Sequence, residues 1–553
     1  MIARLPGWQK NNNWVLGSSV AAFSFARVAL FFFFFSAFYS LPAFANNLSI
    51  TNVELVDNVP ASDTSDIEFD ITWANSWNDN ENNDAVWVFA KYCTSGCTTN
   101  PANWYHATLK TSGINPSGVS RGSGTLLDVI VSADKKGAFI QRTGQGTGTV
   151  TTTDVNLVWD YAQDQVSDAT AIAANTRIKV FGIEMVYIPQ GAYYFGDIAD
   201  GTALATPFNI EFGGAATSVP GVVGGEDALT FGTTGSFFYY NNSGANDAAD
   251  GALIYLPPNY PKGYQATYVM KYEITQGQYA DFFNTLTANG QTNRDITSAT
   301  ASGKNSDAAV ARNTVSWTGA GTDMTTASID DRACSYLSWL DVAAYLDWAA
   351  LRPMTEMEFE KAGRGPVYNV ALEFAWGSTS VTACAALAND GATNETCSTG
   401  GAMVNAASGL TGPTRVGMFA AGTDTRAASG GSYWGVMDLS GNVSEMIVNI
   451  GGISAVNVYT SRDFAGSHGD GRLVNISSAS YDGNATNPGW PGLSSTVSQG
   501  ITTAAGSGTK GGAWNTATAS PSLLRIANRT AISSQPATRT NTQGGRGART
   551  ASA

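Results

Sequence analysis

Charge is scarce in this sequence. Asp, Glu, Lys and Arg make up 13% of its 553 residues, and histidine occurs only twice, at His106 and His468. Basic residues number 30 against 44 acidic ones, for a formal net charge of -14, which argues against nucleic acid or an anionic membrane as a partner. Beyond the first 45 residues no apolar run is long enough to cross a bilayer. Cysteine is limited to five positions, none of them after Cys397. The shortage of charge is not disorder, because aromatics reach 11% and disordered chains lack them. Gly, Ser, Thr, Asn and Ala fill the remainder, and the composition reads as a loop-rich, uncharged-polar extracellular protein.

Residues 1–45 read as a signal peptide. Arg4, Lys10 and Arg27 precede or open an apolar run that ends in Ala43-Phe44-Ala45, a small-x-small cleavage pattern. An uncleaved anchor is the alternative, and the shortness of the run argues against it. Losing those three cations would take the net charge from -14 to -17, a surface compatible with bound cations, calcium above all. Neither a lipid-attachment cysteine nor a sorting tail is evident. The expected destination is therefore secretion or the cell surface, with no membrane insertion after cleavage.

The cysteines suit an oxidising compartment. Cys93 and Cys97 enclose Thr-Ser-Gly, which fits a hairpin closed by a disulfide, and Cys384 and Cys397 bracket a loop rich in Ala, Asn and Gly. Spacing alone does not fix the pairing. Cys334 is left over and reads as a buried thiol rather than a reactive one.

Residues 46–180 show short β-branched and aromatic segments separated by Asn, Asp, Gly and Ser, the pattern of an all-β sandwich. Trp73 and Trp77 read as packing residues there. Residues 181–549 form the second expected domain, with long Gly, Ala, Thr and Asn-rich insertions. Three helix starts stand out, each a capping box: Thr275 with Gln278, Ser338 with Asp341, and Thr355 with Glu358. The first should bury Tyr279, Phe282, Phe283 and Leu286. The third should stop at Gly363. Helices set among short strands indicate an α+β domain.

The ordered motifs of residues 185–549 resemble the formylglycine-generating enzyme and sulfatase-modifying factor family. They are Met185-Val186-Tyr187-Ile188-Pro189, Tyr272-Glu273-Ile274-Thr275, Arg352-Pro353-Met354-Thr355-Glu356, Phe374-Ala375-Trp376-Gly377, Asp438-Leu439-Ser440-Gly441-Asn442-Val443-Ser444-Glu445, Gly511-Gly512-Ala513-Trp514, and Arg525 with Asn528 and Arg529. The resemblance implies an irregular α+β fold related to C-type lectins. It also implies a pair of copper-holding cysteines after the Gly-Gly-Ser-Trp element, since soft thiolates hold Cu(I) where harder ligands do so less well. Here that stretch has no cysteine, so no copper and no formylglycine-generating activity are expected. Members that use histidine-ligated iron need several neighbouring imidazoles or carboxylates, and His106 and His468 fall in different expected domains.

Calcium is the metal that the resemblance leaves, at Asn442 and Glu445, whose hard oxygens suit it. Alternatively, Asn442 caps a turn and Glu445 pairs with an arginine. Arg462, His468 and Asp470 lie in a Gly-rich segment that reads as a flexible ligand loop. The reading of the whole is a non-catalytic exported scaffold, binding an extracellular glycan or protein or copies of itself. The competing reading is an oxidoreductase or other enzyme of the superfamily, in which Asp331, Arg352, Glu356, Arg462, His468 and Arg525 converge in a cleft.

Overall fold

The computed structural model describes residues 47–197, 209–212, 215–216, 221–232, 238–239, 254–381, 383–398, 410–420, 425–450, 463–475, 479–516 and 521–551. The expected signal segment, much of the insertions and Arg462 lie outside the described residues.

Alternation builds the first sheet. Along the strand Thr64–Asn78, Ile67, Phe69, Ile71 and Trp73 are buried while Asp66, Glu68 and Asp70 face outward. This strand pairs with Ser49–Val59 on one side and Gly146–Asp160 on the other, and Ser120–Gly124 completes an antiparallel four-stranded sheet.

The second sheet runs Arg352–Pro353, Gly547–Thr550, Thr267–Met270, Arg177–Ile188, Asp84–Cys93, Ala138–Arg142, Leu127–Val131 and Gly113–Ile114. Its Asp84–Cys93 strand is buried along its whole length because its two faces serve two cores. Val86 and Val88 pack between the sheets with Phe69, Trp73 and Leu157. Ala85, Trp87 and Phe89 face the helices with Phe282, Trp339 and Trp348. The Trp87 indole also donates to the Ala349 carbonyl at 2.8 Å.

An N-terminal β-rich region thus precedes a mixed α+β region. The boundary expected at residue 180 falls inside the Arg177–Ile188 strand, which pairs with Asp84–Cys93 on one side and Thr267–Met270 on the other. The two regions are stitched together by backbone hydrogen bonds across one sheet.

The helices Gln276–Phe283, Trp339–Trp348 and Glu356–Arg364 all start at the expected capping boxes. Such caps are each worth about 1 kcal/mol. The third helix passes through Gly363 and ends at Gly365, whose φ of 74° suits glycine. Gly363 is small for a packing reason: a Cβ there would lie 2.7 Å from Ile526 Cδ1. A further helix, Ala288–Arg294, starts from Thr287.

The capping acids do double duty. Asp341 accepts from Arg539 Nε and Nη2, both at 2.8 Å, and from Arg294 Nη1 at 3.2 Å. Glu358 takes both Nη atoms of Arg352, at 2.8 and 2.6 Å. Glu356, in the first turn of the same helix, pairs with Arg529 at 2.8 and 3.2 Å.

Burial pushes the Asp341 carboxyl up, but Arg539 and Arg294 outweigh it and hold it at about 2. Replacing Arg539 by Ala leaves that carboxylate short of its main partner and should cost about 3–5 kcal/mol, read by urea unfolding. The folded pKa lies below the unfolded value of about 3.9, so the stabilisation is complete above about pH 4 and is lost as pH falls through 2. The gap between wild type and Arg539→Ala should close over that window. A loss under about 1 kcal/mol at neutral pH would place the pair among surface-like bridges instead.

Candidate functional site

The turn Asp438–Glu445 is tight, with Asp438 and Asn442 at φ of 60° and 54°. Asn442 Oδ1 accepts from the Thr414 amide at 2.9 Å, and its Nδ2 donates to Glu273 Oε2 at 2.6 Å. Glu445 Oε1 takes Arg546 Nη2 at 2.8 Å and Nε at 3.1 Å. Burial pushes the Glu445 carboxyl up to about 7 against the pull of Arg546. Calcium needs six to eight oxygens on a cage free to turn towards it. Here the amide oxygen is spent on a backbone N–H and the carboxylate faces a guanidinium. These contacts fit a turn held by the protein, and Glu445 Oε2 is the one carboxylate oxygen of the residue that they leave buried without a partner. Among the described residues no three His, Cys, Asp or Glu side chains are grouped to hold a metal.

The resemblance calls for thiols after the neighbouring Gly511–Trp514 element, and the sequence there has no cysteine. Trp514 packs with Cys384, Cys397, Met418 and Phe419. Cys384 is bonded to Cys397, and Cys93 to Cys97. Cys334 is the free thiol. It is fully buried, and burial pushes its pKa far up, away from the thiolate form that reactivity requires.

The loop expected to be flexible is clamped. The Gly469 amide donates to Leu351 O at 2.7 Å, and the Asp470 amide to Asp347 Oδ1 at 3.0 Å. The buried Lys91 amino group, whose pKa burial pushes well down, donates to Gly471 O at 2.8 Å and Trp348 O at 2.7 Å, and lies 3.0 Å from His106 Nδ1. His106 therefore touches the loop that carries His468, although the two histidines come from different expected domains. His468 Nε2 accepts from the Thr550 amide at 3.0 Å, which leaves its proton on Nδ1, 3.9 Å from Asp134. Asp470 is exposed, its Oδ1 accepting from the Arg472 amide.

The five described residues of the enzyme reading, Asp331, Arg352, Glu356, His468 and Arg525, do not converge, and Arg462 lies outside the described residues. Arg352 and Glu356 are consumed in buried ion pairs with other residues. Arg352 and His468 do meet, both bound to Thr550. Arg525 is half-buried, with its Nε unpaired. Asp331 alone lines a large cleft.

That cleft, about 640 Å³, lies between the Arg177–Ile188 strand, the Gln276–Phe283 helix and residues 324–331. Phe89, Phe181, Tyr345 and Trp348 form an aromatic cluster along it, with Phe89 and Phe181 stacked at 5.4 Å and Trp348 set edge-on to both. Asn284 ties its wall together, donating to Met324 O and accepting from Met324 N. The Asp281 and Asp331 carboxylates take no hydrogen bond from any described residue, although the Asp331 backbone carbonyl accepts from the Val416 amide at 3.0 Å. Asp281 is open to solvent yet ringed by the cleft walls, and this desolvation pushes its carboxyl up to about 6 against Lys179 and with Asp330. Asp331 reaches about 6 in the same way, against Arg415 and with Asp330. Of these lining residues the sequence had pointed only to Asp331. A raised, unpaired carboxylate at a helix surface has no signature in linear spacing.

Thiol titration checks the sulfur chemistry. The native protein should show no thiol to an aromatic disulfide reagent, and one per chain once denatured without reductant. Reaction in the native state would put a reactive cysteine back in play.

The model of the family described as the sulfatase-modifying factor enzyme 1-like domain matches residues 233–551. No curated protein matches the chain. The matched span covers more than half of the sequence and takes in three capping boxes, the Asp438–Glu445 turn and the C-terminal arginines. The chain belongs to the sulfatase-modifying factor enzyme 1-like domain family.

Proposed function

We propose that this chain is an exported, non-catalytic binding protein, in which the family domain acts as a scaffold and the 640 Å³ cleft holds a glycan. One observation carries the reading: two carboxylates without a hydrogen-bond donor, Asp281 and Asp331, share the cleft with an aromatic cluster whose half-buried member is Phe181. Sugar rings stack on aromatic faces, and their hydroxyls donate to carboxylates. The absence of cysteine after Cys397 supports a non-catalytic role, and the apolar leader ending in Ala45 supports export. Among the described residues no helix is long and apolar enough to cross a membrane.

A second reading, a glycan hydrolase, is favoured by the same pair. Two carboxyl groups titrating near 6 suit proton transfer close to neutral pH.

The pair also costs stability. A carboxyl raised from its unfolded value to about 6 destabilises the fold above that pH and stops doing so below the unfolded value. The Asp281→Asn, Asp331→Asn double variant should melt higher than wild type at pH 7.5, with the difference closing towards pH 4. The same variant should lose at least tenfold in affinity for the best of a set of neutral oligosaccharides, measured by calorimetry. Wild-type affinity should fall as pH drops through 6. Release of reducing ends from that set would favour the hydrolase. Binding unaffected by the double variant would remove the cleft from the account.

A further inference from the structure

A second cavity, about 360 Å³, opens where the N-terminal region meets the segment before the Asp438–Glu445 turn. It shares no lining residue with the larger cleft. Its walls are aromatic. Trp77, from the end of the Thr64–Asn78 strand, is half-buried, and Tyr433 is 39% exposed. Trp434 stands edge-on to Tyr433, with ring centroids 4.8 Å apart. Gly435, at φ of 91°, allows the close fit, since a Cβ there would lie 2.9 Å from Trp77 Cζ2.

The walls also carry polar groups that lack a partner. The Tyr272 hydroxyl, Trp434 Nε1 and Arg426 Nε are all buried without a hydrogen-bond partner. Tyr272 and Trp434 are each only 5% exposed. A buried donor left unmade is costly, and native proteins keep few of them. Seventeen side-chain atoms are left this way among the described residues, and three of them belong to residues that line this one cavity. Indole and guanidinium N–H groups can only donate, so the missing partner supplies acceptors.

Charge narrows it further. The Lys271 ammonium, 4.9 Å from the Trp77 ring centroid, is already paired with Asp84 at 3.2 Å and Glu184 at 3.0 Å. Arg426 forms no ion pair among the described residues. Its Nη2 holds the Gly363 and Ala375 carbonyls at 3.0 and 2.7 Å, and its guanidinium lies 5.6 Å from the Tyr433 ring centroid. The Arg426 side chain is thus fixed in place with its Nε donor unpaired, and its charge is met only without direct contact, by Glu373.

We infer that this cavity binds one sugar ring bearing a carbonyl acceptor, either a carboxylate or an N-acyl group. Tyr433 and Trp77 supply the stacking faces. Trp434, Arg426 and Tyr272 supply the donors. The carbonyl oxygen answers the donor-only groups, as a plain hydroxyl would do less well beside a fixed cation. The inference is independent of the glycan proposed for the larger cleft.

The test is calorimetric titration of the full chain with two probes, trigalacturonate for the carboxylate and tri-N-acetylchitotriose for the N-acyl group, with maltotriose as the control lacking both. One of the two probes should bind at least tenfold more tightly than maltotriose. Tyr433→Ala, which changes a partly exposed residue, should weaken it tenfold or more. Trp434→Phe keeps the ring, loses the donor and should weaken it severalfold. The Asp281→Asn, Asp331→Asn variant should leave it unchanged, so failure of the cleft reading and failure of this one are distinguishable. Absence of binding by both probes, equal binding of maltotriose, or affinity that survives Tyr433→Ala would each overturn the inference. So would affinity lost in the Asp281→Asn, Asp331→Asn variant, which would place the probe in the larger cleft.

Discussion

The fold depends on carboxylates buried at helix starts and on the arginines that reach them from elsewhere in the chain. Asp341 is held by Arg539, Glu356 by Arg529 and Glu358 by Arg352. Two of these three arginines come from the last 25 residues, and Arg546 adds the same service to Glu445. A chain with so few charges thus places many of them inside: Arg352, Arg364, Arg529, Arg546 and Arg549 are among its largest fully buried side chains. Such pairs gain little over well-packed apolar residues, because desolvation consumes most of the attraction. Breaking one is another matter, since the abandoned charge cannot reach water. The C-terminal segment therefore acts as a strap whose removal would strand acids at several points at once.

The second dependence is on a shared wall. The Asp84–Cys93 strand presents Phe89 to the helices and Val88 to the sandwich, and Lys91 from the same strand grips the Trp348 and Gly471 carbonyls. Without the N-terminal region the family domain would lose one side of each cavity. Phe89 and Phe181 belong to the larger one and Trp77 to the smaller. The N-terminal region is thus part of the walls of both cavities and not an appendage to the family domain.

What could be read from the sequence follows from how local the signal is. A capping box spans four residues, so all three were legible. The disulfides close loops of four and thirteen residues, and both short brackets proved to be bonds. The Ala288–Arg294 helix escaped because ANGQTNR has no apolar stripe. Its start is a Thr287 cap, and its Gln291 and Arg294 are buried through polar contacts. Gly363 misled because a glycine chosen for contact with Ile526 looks the same as one chosen for a helix end. The loop of His468 misled in a similar way: glycines that permit close approach to Asp347 and His106 resemble glycines that permit motion. Neither cavity was legible, since each is assembled from segments more than two hundred residues apart.

The resemblance directed attention to acids and arginines in conserved-looking motifs, and most of them serve the fold. Asn442, Glu445, Arg352 and Glu356 all have partners whose removal would leave a charge or amide stranded. Partnership, more than residue type or degree of burial, separates the two populations of polar groups in this chain. Asp341 and Asp281 are both helix aspartates, yet one is held at about 2 by two arginines and the other stands near 6 with no hydrogen-bond donor. Folding accounts for the first and gains nothing from the second. The same distinction marks Trp434 against Trp87: both are buried indoles, but Trp87 donates to Ala349 and Trp434 to nothing. Groups that the fold leaves unsatisfied at a cavity are those whose cost a ligand can recover, and three of them, on Tyr272, Arg426 and Trp434, share one cavity.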